Sequence, residues 1–390
     1  MNPTSLQTAE NFEFLFYPKV ISGRCALENL PTELDGNNAQ KPLVITSQAI
    51  VRNGLTKILV KAFYDSAVII GAIYDPVLDY AGISQAQQAA RLFIDRGCDA
   101  IIALGGGPVV ALAKAVNLLV SERQETLQPY YNGTAISGPL KPLIVVPSGA
   151  SDGQEAMPVM TVDNRAIASE SLYPGVFVLD ERMTIGDSAY GVAESGAIAL
   201  AQAFTALTTE TPNPMIDALA HPALSLLAQH LAPAVRSPKD NAAGLALANA
   251  AVMASAACAN TGPGLVLVLG EALAEATGVS LGKCLGILLP FAIDALRQSN
   301  RPVRDELCLA AAGLEGFAAI PARQRPNKGL ELAAALAREL KVTLPACLQA
   351  LRVQRHLLDP VAQSAAAKSA GRFTAAEGRQ ILVQAWEANV

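Results

Sequence analysis

A mostly parallel α/β half followed by an all-helical half is the fold class that this chain predicts. Short β-branched runs recur through roughly the first 180 residues with helix-length stretches between them, which is the rhythm of βαβ units. After residue 187 alanine and leucine take over, and before that a run of three glycines joins one apolar strand to the helix that follows it. At 390 residues the chain is long enough for two cores, because single cores stop growing near roughly 250–300 residues. The division is expected as 1–183 and 184–390.

In chain order, 12–18 alternates Phe12, Phe14 and Phe16 with other residues and predicts a strand at the sheet edge. Runs at 43–46, 67–70, 100–104, 143–146 and 176–179 predict buried strands, and 84–96 and 108–119 predict the helices between them. Gly133, Gly138, Pro139 and Pro142 punctuate 130–142 as a surface loop. Beyond it, 189–207, 215–231, 242–259, 264–276 and 285–296 read as packed helices. Residues 266–269 would suit a strand taken alone, but their flanks place them in a helix.

Composition narrows the function. Apolar residues make up 51% of the chain and charged residues 16%, and the mean hydropathy is +0.31. A large core and a homodimer interface accommodate so much apolar surface. Segment 242–259 approaches the roughly 20 residues of a membrane span. Its alanines carry little apolar area and it contains Asn249 and Ser255, so it predicts a buried helix and no membrane partner. Residues 1–12 have neither the basic nor the apolar region of a secretion signal. A net charge of −5 argues against nucleic acid, whose phosphates require a cationic surface. The six cysteines are scattered without metal-ligand spacing, as expected of free thiols in a cytoplasmic protein.

Two loops carry the chemistry. In the first, Gly105, Gly106 and Gly107 stand between strand and helix, with Pro108 at the first helical position, where its missing N–H costs nothing. Glycines admit a ligand close to the backbone, and a helix N-terminus favours an anion such as a pyrophosphate. The spacing is neither a Walker loop nor the dinucleotide G-x-G-x-x-G fingerprint. The second loop, 147–155, begins Pro147, Ser148, Gly149 and also follows a strand, where ligands of open α/β sheets bind. The first loop reads also as a tight turn, and the second as a Ser/Asp/Gly turn whose polar side chains satisfy their own backbone.

With these loops in order ahead of a helical half, the chain resembles the iron-dependent, group III alcohol dehydrogenases over nearly its full length. Further points of resemblance are 14–23, Asp75, Pro76 and Val77, and the Asn213, Pro214 motif through Leu219. The resemblance implies a Rossmann-like N-terminal domain and a helical C-terminal domain, the architecture shared with dehydroquinate synthases. It also implies NAD or NADP on the two loops, at Gly105, Gly106, Gly107, Ser148 and Gly149, and at Ser47 after the first strand, and Lys114 matches the first motif. Departures are Pro108 and Ala111 for the usual Ser and Asp, and Ser148 and Gly149 for the threonine pair. Further on in that motif Pro147, Ala150, Gly153 and Glu155 match, whereas Ser151, Asp152 and Gln154 differ. Ser47 replaces an Asp that repels a 2′-phosphate, so NADP is not excluded; it also suits a helix cap.

The family's metal is held by an Asp and a His one helical turn apart and by two further His. Here those positions are Ile198, Gln202, Leu267 and Leu281, so no Fe or Zn is expected. Only His221, His230 and His356 occur in the whole chain, at spacings that suit no three-ligand site. Glu271 replaces a family histidine near the substrate, one turn from Leu267. It reads as a catalytic acid of raised pKa, with Gln202 beside it, or as a partly exposed helical Glu; Lys283 either pairs with it or faces water. Three functions follow: a metal-independent NAD(P)-linked reductase of a small carbonyl compound, a non-catalytic nucleotide- or metabolite-binding pseudoenzyme, or a structural partner protein.

Overall fold

A computed structural model describes residues 11–78, 80–149, 155, 157–184, 188–210, 213–299 and 301–388. The chain forms two compact units, each drawing on sequence from both sides of residue 183. One comprises Phe16–Asp187 with Pro238–Val252, and the other Met1–Leu15, Ser188–Ser237 and Met253–Val390.

The first unit contains β1 (Lys19–Gly23), α1 (Leu30–Gly36), β2 (Pro42–Ile45), α2 (Gln48–Arg52), α3 (Leu55–Lys61), β3 (Ala72–Tyr74) and α4 (Ile83–Asp95). It continues with β4 (Ala100–Leu104), α5 (Gly107–Ser121), α6 (Gln128–Tyr131), β5 (Leu143–Val146), β6 (Val159–Val162), β7 (Arg165–Ala168) and β8 (Val176–Asp180). Six strands pair in the order β1-β8-β5-β4-β2-β3, all parallel. Alternate residues of each strand face opposite ways, and both faces are covered. Ile45, Ile101, Ala103, Val145 and Phe177 join the core under α4 and α5. Val44, Ile102, Ile144, Val146 and Val178 join the core with Leu30, Leu34, Leu55 and Leu59 of α1 and α3. Double-sided burial is why these strands read as continuous apolar runs and not as alternating ones.

Two strand expectations fail. The aromatic segment 12–18 is not a strand; the edge strand on that side of the sheet is β1, which begins at Lys19. The Leu15 backbone finds its partner in one side chain instead: its N–H donates to Asn260 Oδ1 at 2.6 Å and its carbonyl accepts from Nδ2 at 2.9 Å. Segment 67–70 gives way to β3, which starts where Ala72 comes opposite Leu43 of β2. Ile69, inside the expected strand, is exposed. The antiparallel hairpin of β6 and β7 was not expected at all.

The second unit is helical: α7 (Ala189–Leu207), α8 (Pro214–Arg236), the end of α9 (Asn241–Ala259), α10 (Leu265–Thr277), α11 (Leu281–Gln298), α12 (Asp305–Ala319), α13 (Arg325–Glu339), α14 (Leu358–Lys368) and α15 (Ala375–Glu387). Asn213 caps α8, accepting from the Met215 and Ile216 amides at 3.0 and 3.4 Å. Pro214 takes the first helical turn, where its missing N–H is harmless, so this motif builds a helix start. Among the described residues one helix, α9, is long and apolar enough to cross a membrane, and 61% of its apolar window is buried in the protein.

Candidate functional site

From β2 the chain moves to β3 on one side and then returns to β4 on the other, so the winding of the sheet reverses between β2 and β4. Ligands of open α/β sheets bind beyond the carboxyl ends of the strands at such a reversal. Thr46, buried at the end of β2, donates its hydroxyl to the Leu104 carbonyl of β4 at 2.8 Å and holds the two strand ends together. Ser47 and the three glycines therefore flank the switch point.

The glycines serve different ends. Gly105 has φ 151° and donates its N–H to the Val146 carbonyl at 3.0 Å. A Cβ there would lie 2.8 Å from Val109 Cγ2 and 3.0 Å from Ile50 Cδ1, so this position needs glycine for the turn itself. Gly106 is the N-cap of α5, and a Cβ on it would meet nothing within 4 Å. Gly107 is then the first helical residue and Pro108 the second, one place later than expected. The first amides of a helix have no partner within it, and beside an open position they favour an anion.

Ser47 is half-buried at the N-cap of α2, but its hydroxyl makes no capping hydrogen bond. Ser148 and Gly149 follow β5 half-buried; Gly149 has φ 71° and donates to the Met183 carbonyl at 3.0 Å. Ala150, Ser151, Asp152, Gly153 and Gln154 lie outside the described residues. Lys114, which matches the family motif, is fully buried on α5, and its ammonium donates to the carbonyls of Met157 at 2.8 Å and Val159 at 3.1 Å. Those bonds fasten α5 to the start of the β6–β7 hairpin.

In the helical unit α7, α10 and α11 pack mutually. Ile198 and Gln202 are buried one turn apart on α7, while Leu267 near the start of α10 and Leu281 at the start of α11 are half-buried. The Gln202 side-chain oxygen is buried without a hydrogen-bond partner. An amide beside apolar groups does not repay the lost hydration of a divalent ion, so these residues do not fit the family's metal. Among the described residues no group of three or more His, Cys, Asp or Glu is placed to hold a metal ion.

Glu271 is exposed on α10. The mass of protein around its carboxyl raises its pKa above the ordinary glutamate value; the Lys368 ammonium opposes this and Glu275 adds to it. Lys283 does not pair with Glu271. Its ammonium lies 3.6 Å from Glu194 and 5.3 Å above the Tyr190 ring, because the first turn of α11 packs against α7.

The chain thus carries a doubly wound sheet, with a glycine loop at its reversal, and a helical unit. Residues 18–181 match the family model for iron-containing alcohol dehydrogenase and 192–384 that for its C-terminal region; the chain belongs to the iron-containing alcohol dehydrogenase family. It is 25% identical over 283 residues to an NAD-dependent methanol dehydrogenase of Bacillus methanolicus, covering 71% of this chain and 74% of that protein. It is 32% identical over 213 residues to the probable alcohol dehydrogenase EutG of Escherichia coli strain K12, a match spanning 53% of this chain and 54% of EutG. The fold of a crystallised 1,3-propanediol oxidoreductase agrees with a TM-score of 0.84 at 22% identity, over 97% of this chain and 100% of that one. With Ile198, Gln202, Leu267 and Leu281 at the ligand positions, the chain is a divergent member that lacks the family's metal-ligand set.

Proposed function

We propose that the chain is a metal-independent, NAD(P)-linked reductase of a small carbonyl compound. The observation that carries this reading is the open Gly106 position at the head of α5, beside the switch point of a parallel sheet. The residues there fit a pyrophosphate: Gly106 and Gly107 meet it, Ser47 stands nearer the adenosine ribose, and Ser148 and Gly149 border the second loop. Membership of a family that includes an NAD-dependent dehydrogenase supports the same cofactor class. Bound there, a reduced nicotinamide would supply the hydride for the substrate's carbonyl carbon.

The oxygen then needs a proton, and with no metal ligands the side chain suited to give it is Glu271. A carboxylic acid serves near neutral pH only if its pKa is raised, which is the direction here. Gln202, whose side-chain oxygen is unpartnered, is the polar group among the four ligand positions and serves to orient. A screen of aldehydes and ketones with NADH and NADPH on chelator-treated protein tests this. Activity should fall as pH rises through the Glu271 pKa, and Glu271→Gln should lower kcat by about 100-fold or more and flatten that limb. Nucleotide binding without turnover would reduce the chain to a binding protein, and turnover indifferent to Glu271→Gln would discard the acid.

A further inference from the structure

A cavity of about 600 Å³ opens within the helical unit, at the C-terminal end of α7 and the start of α10. That volume lies in the range of small-molecule sites. Its wall is half apolar, with Phe204, Leu296 and Ile381, and half polar. The polar half is assembled on one loop. At Gly262 a Cβ would lie 1.8 Å from the Arg372 guanidinium, and at Gly264 one would lie 2.6 Å from Thr205 Oγ1. Two glycines, two positions apart, thus let an arginine and a threonine press against the same stretch of backbone.

Both side chains have unused donors. Thr205 is 6% exposed and its hydroxyl has no hydrogen-bond partner, although a helical threonine ordinarily bonds back to its own helix. Arg301, on the same cavity, is engaged: it pairs with Glu377 at 2.7 Å and lies 5.1 Å from the Phe373 ring centre. Among the described residues the Arg372 guanidinium has no such partner. Glu210 also borders the cavity, which sets the site against a dianion.

We propose that this cavity binds a small monocarboxylate with an apolar body, the carboxylate received by the Arg372 fork and the Thr205 hydroxyl. An arginine fork matches two carboxylate oxygens, and burial of the apolar remainder accounts for the other wall. The site stands on its own residues and does not depend on the nucleotide reading.

Calorimetry on the full chain without nucleotide, using 4-phenylbutyrate, its amide and inorganic phosphate, tests it. The acid should bind at least about tenfold more tightly than the amide, and phosphate should not bind. Arg372→Gln should erase the preference for acid over amide, and Thr205→Val should weaken the acid severalfold. Gly262→Ala, which keeps the charge but displaces the guanidinium, should act like Arg372→Gln while circular dichroism reports an intact fold. Equal binding of acid and amide, binding of neither, tighter binding of phosphate, or a preference that survives Arg372→Gln would each overturn the site.

Discussion

Glu271 concentrates the question of function in one carboxyl group, and its titration can be followed without any substrate. Its folded pKa is raised, chiefly by desolvation. The sign follows from linkage: the stabilisation it contributes is fully present below the ordinary glutamate range and is lost as pH rises through the folded value. Glu271→Gln removes that loss, so between about pH 4 and about pH 8 the variant's Tm should fall less, or rise more, than that of the unaltered chain. Identical Tm changes in the two proteins would mean that the pKa is not raised. The cysteines give a second test at this scale. Burial pushes the Cys258 and Cys284 thiols up to about 12, whereas Cys25 is exposed. A thiol reagent at neutral pH should modify one cysteine fast in the native chain, and Cys25→Ser should abolish that phase; a fast phase surviving in the variant would contradict the burial.

At the scale of elements, what was legible depended on whether one segment's own pattern decided its state. β2, β4, β5 and β8 were read where they stand because residues buried on both faces leave unbroken apolar runs. The edge elements were misplaced because pairing decides them: β3 begins where it meets β2, and the backbone at Leu15 is satisfied by Asn260, 245 residues away. Lys283 was uncertain for the same reason, since its partner Glu194 belongs to another helix. Thr205 and Arg372 went unread altogether; the only trace was Gly262 and Gly264 around Pro263, which also spells an ordinary turn. Helix contact makes its own prediction at Gly282, in the first turn of α11. A Cβ there would lie 2.6 Å from the Glu194 carbonyl oxygen, a backbone atom that cannot rotate away. Gly282→Ala should therefore destabilise the chain by about 1–3 kcal/mol in a urea melt. An unchanged midpoint would show that α7 and α11 are farther apart than described.

For the whole molecule, the family could be read from the order of its motifs, and the replacement of its metal ligands from four positions, because both are properties of the linear sequence. The roles of the matching residues needed coordinates. Lys114 fastens a hairpin, Asn213 starts a helix and Gly105 shapes a turn, whereas Gly106 has open space around it. The central claim is that this chain has kept a dinucleotide site while losing the metal site. Calorimetric titration of NADH and NADPH into chelator-treated protein, repeated with Gly106→Asp, tests it most directly. The open surroundings of Gly106 let the variant fold, and its carboxylate would oppose the pyrophosphate. The account predicts saturable binding of at least one nucleotide to the metal-free chain and an affinity at least about tenfold weaker in the variant. No binding of either nucleotide, or equal affinity in the two proteins, would contradict it.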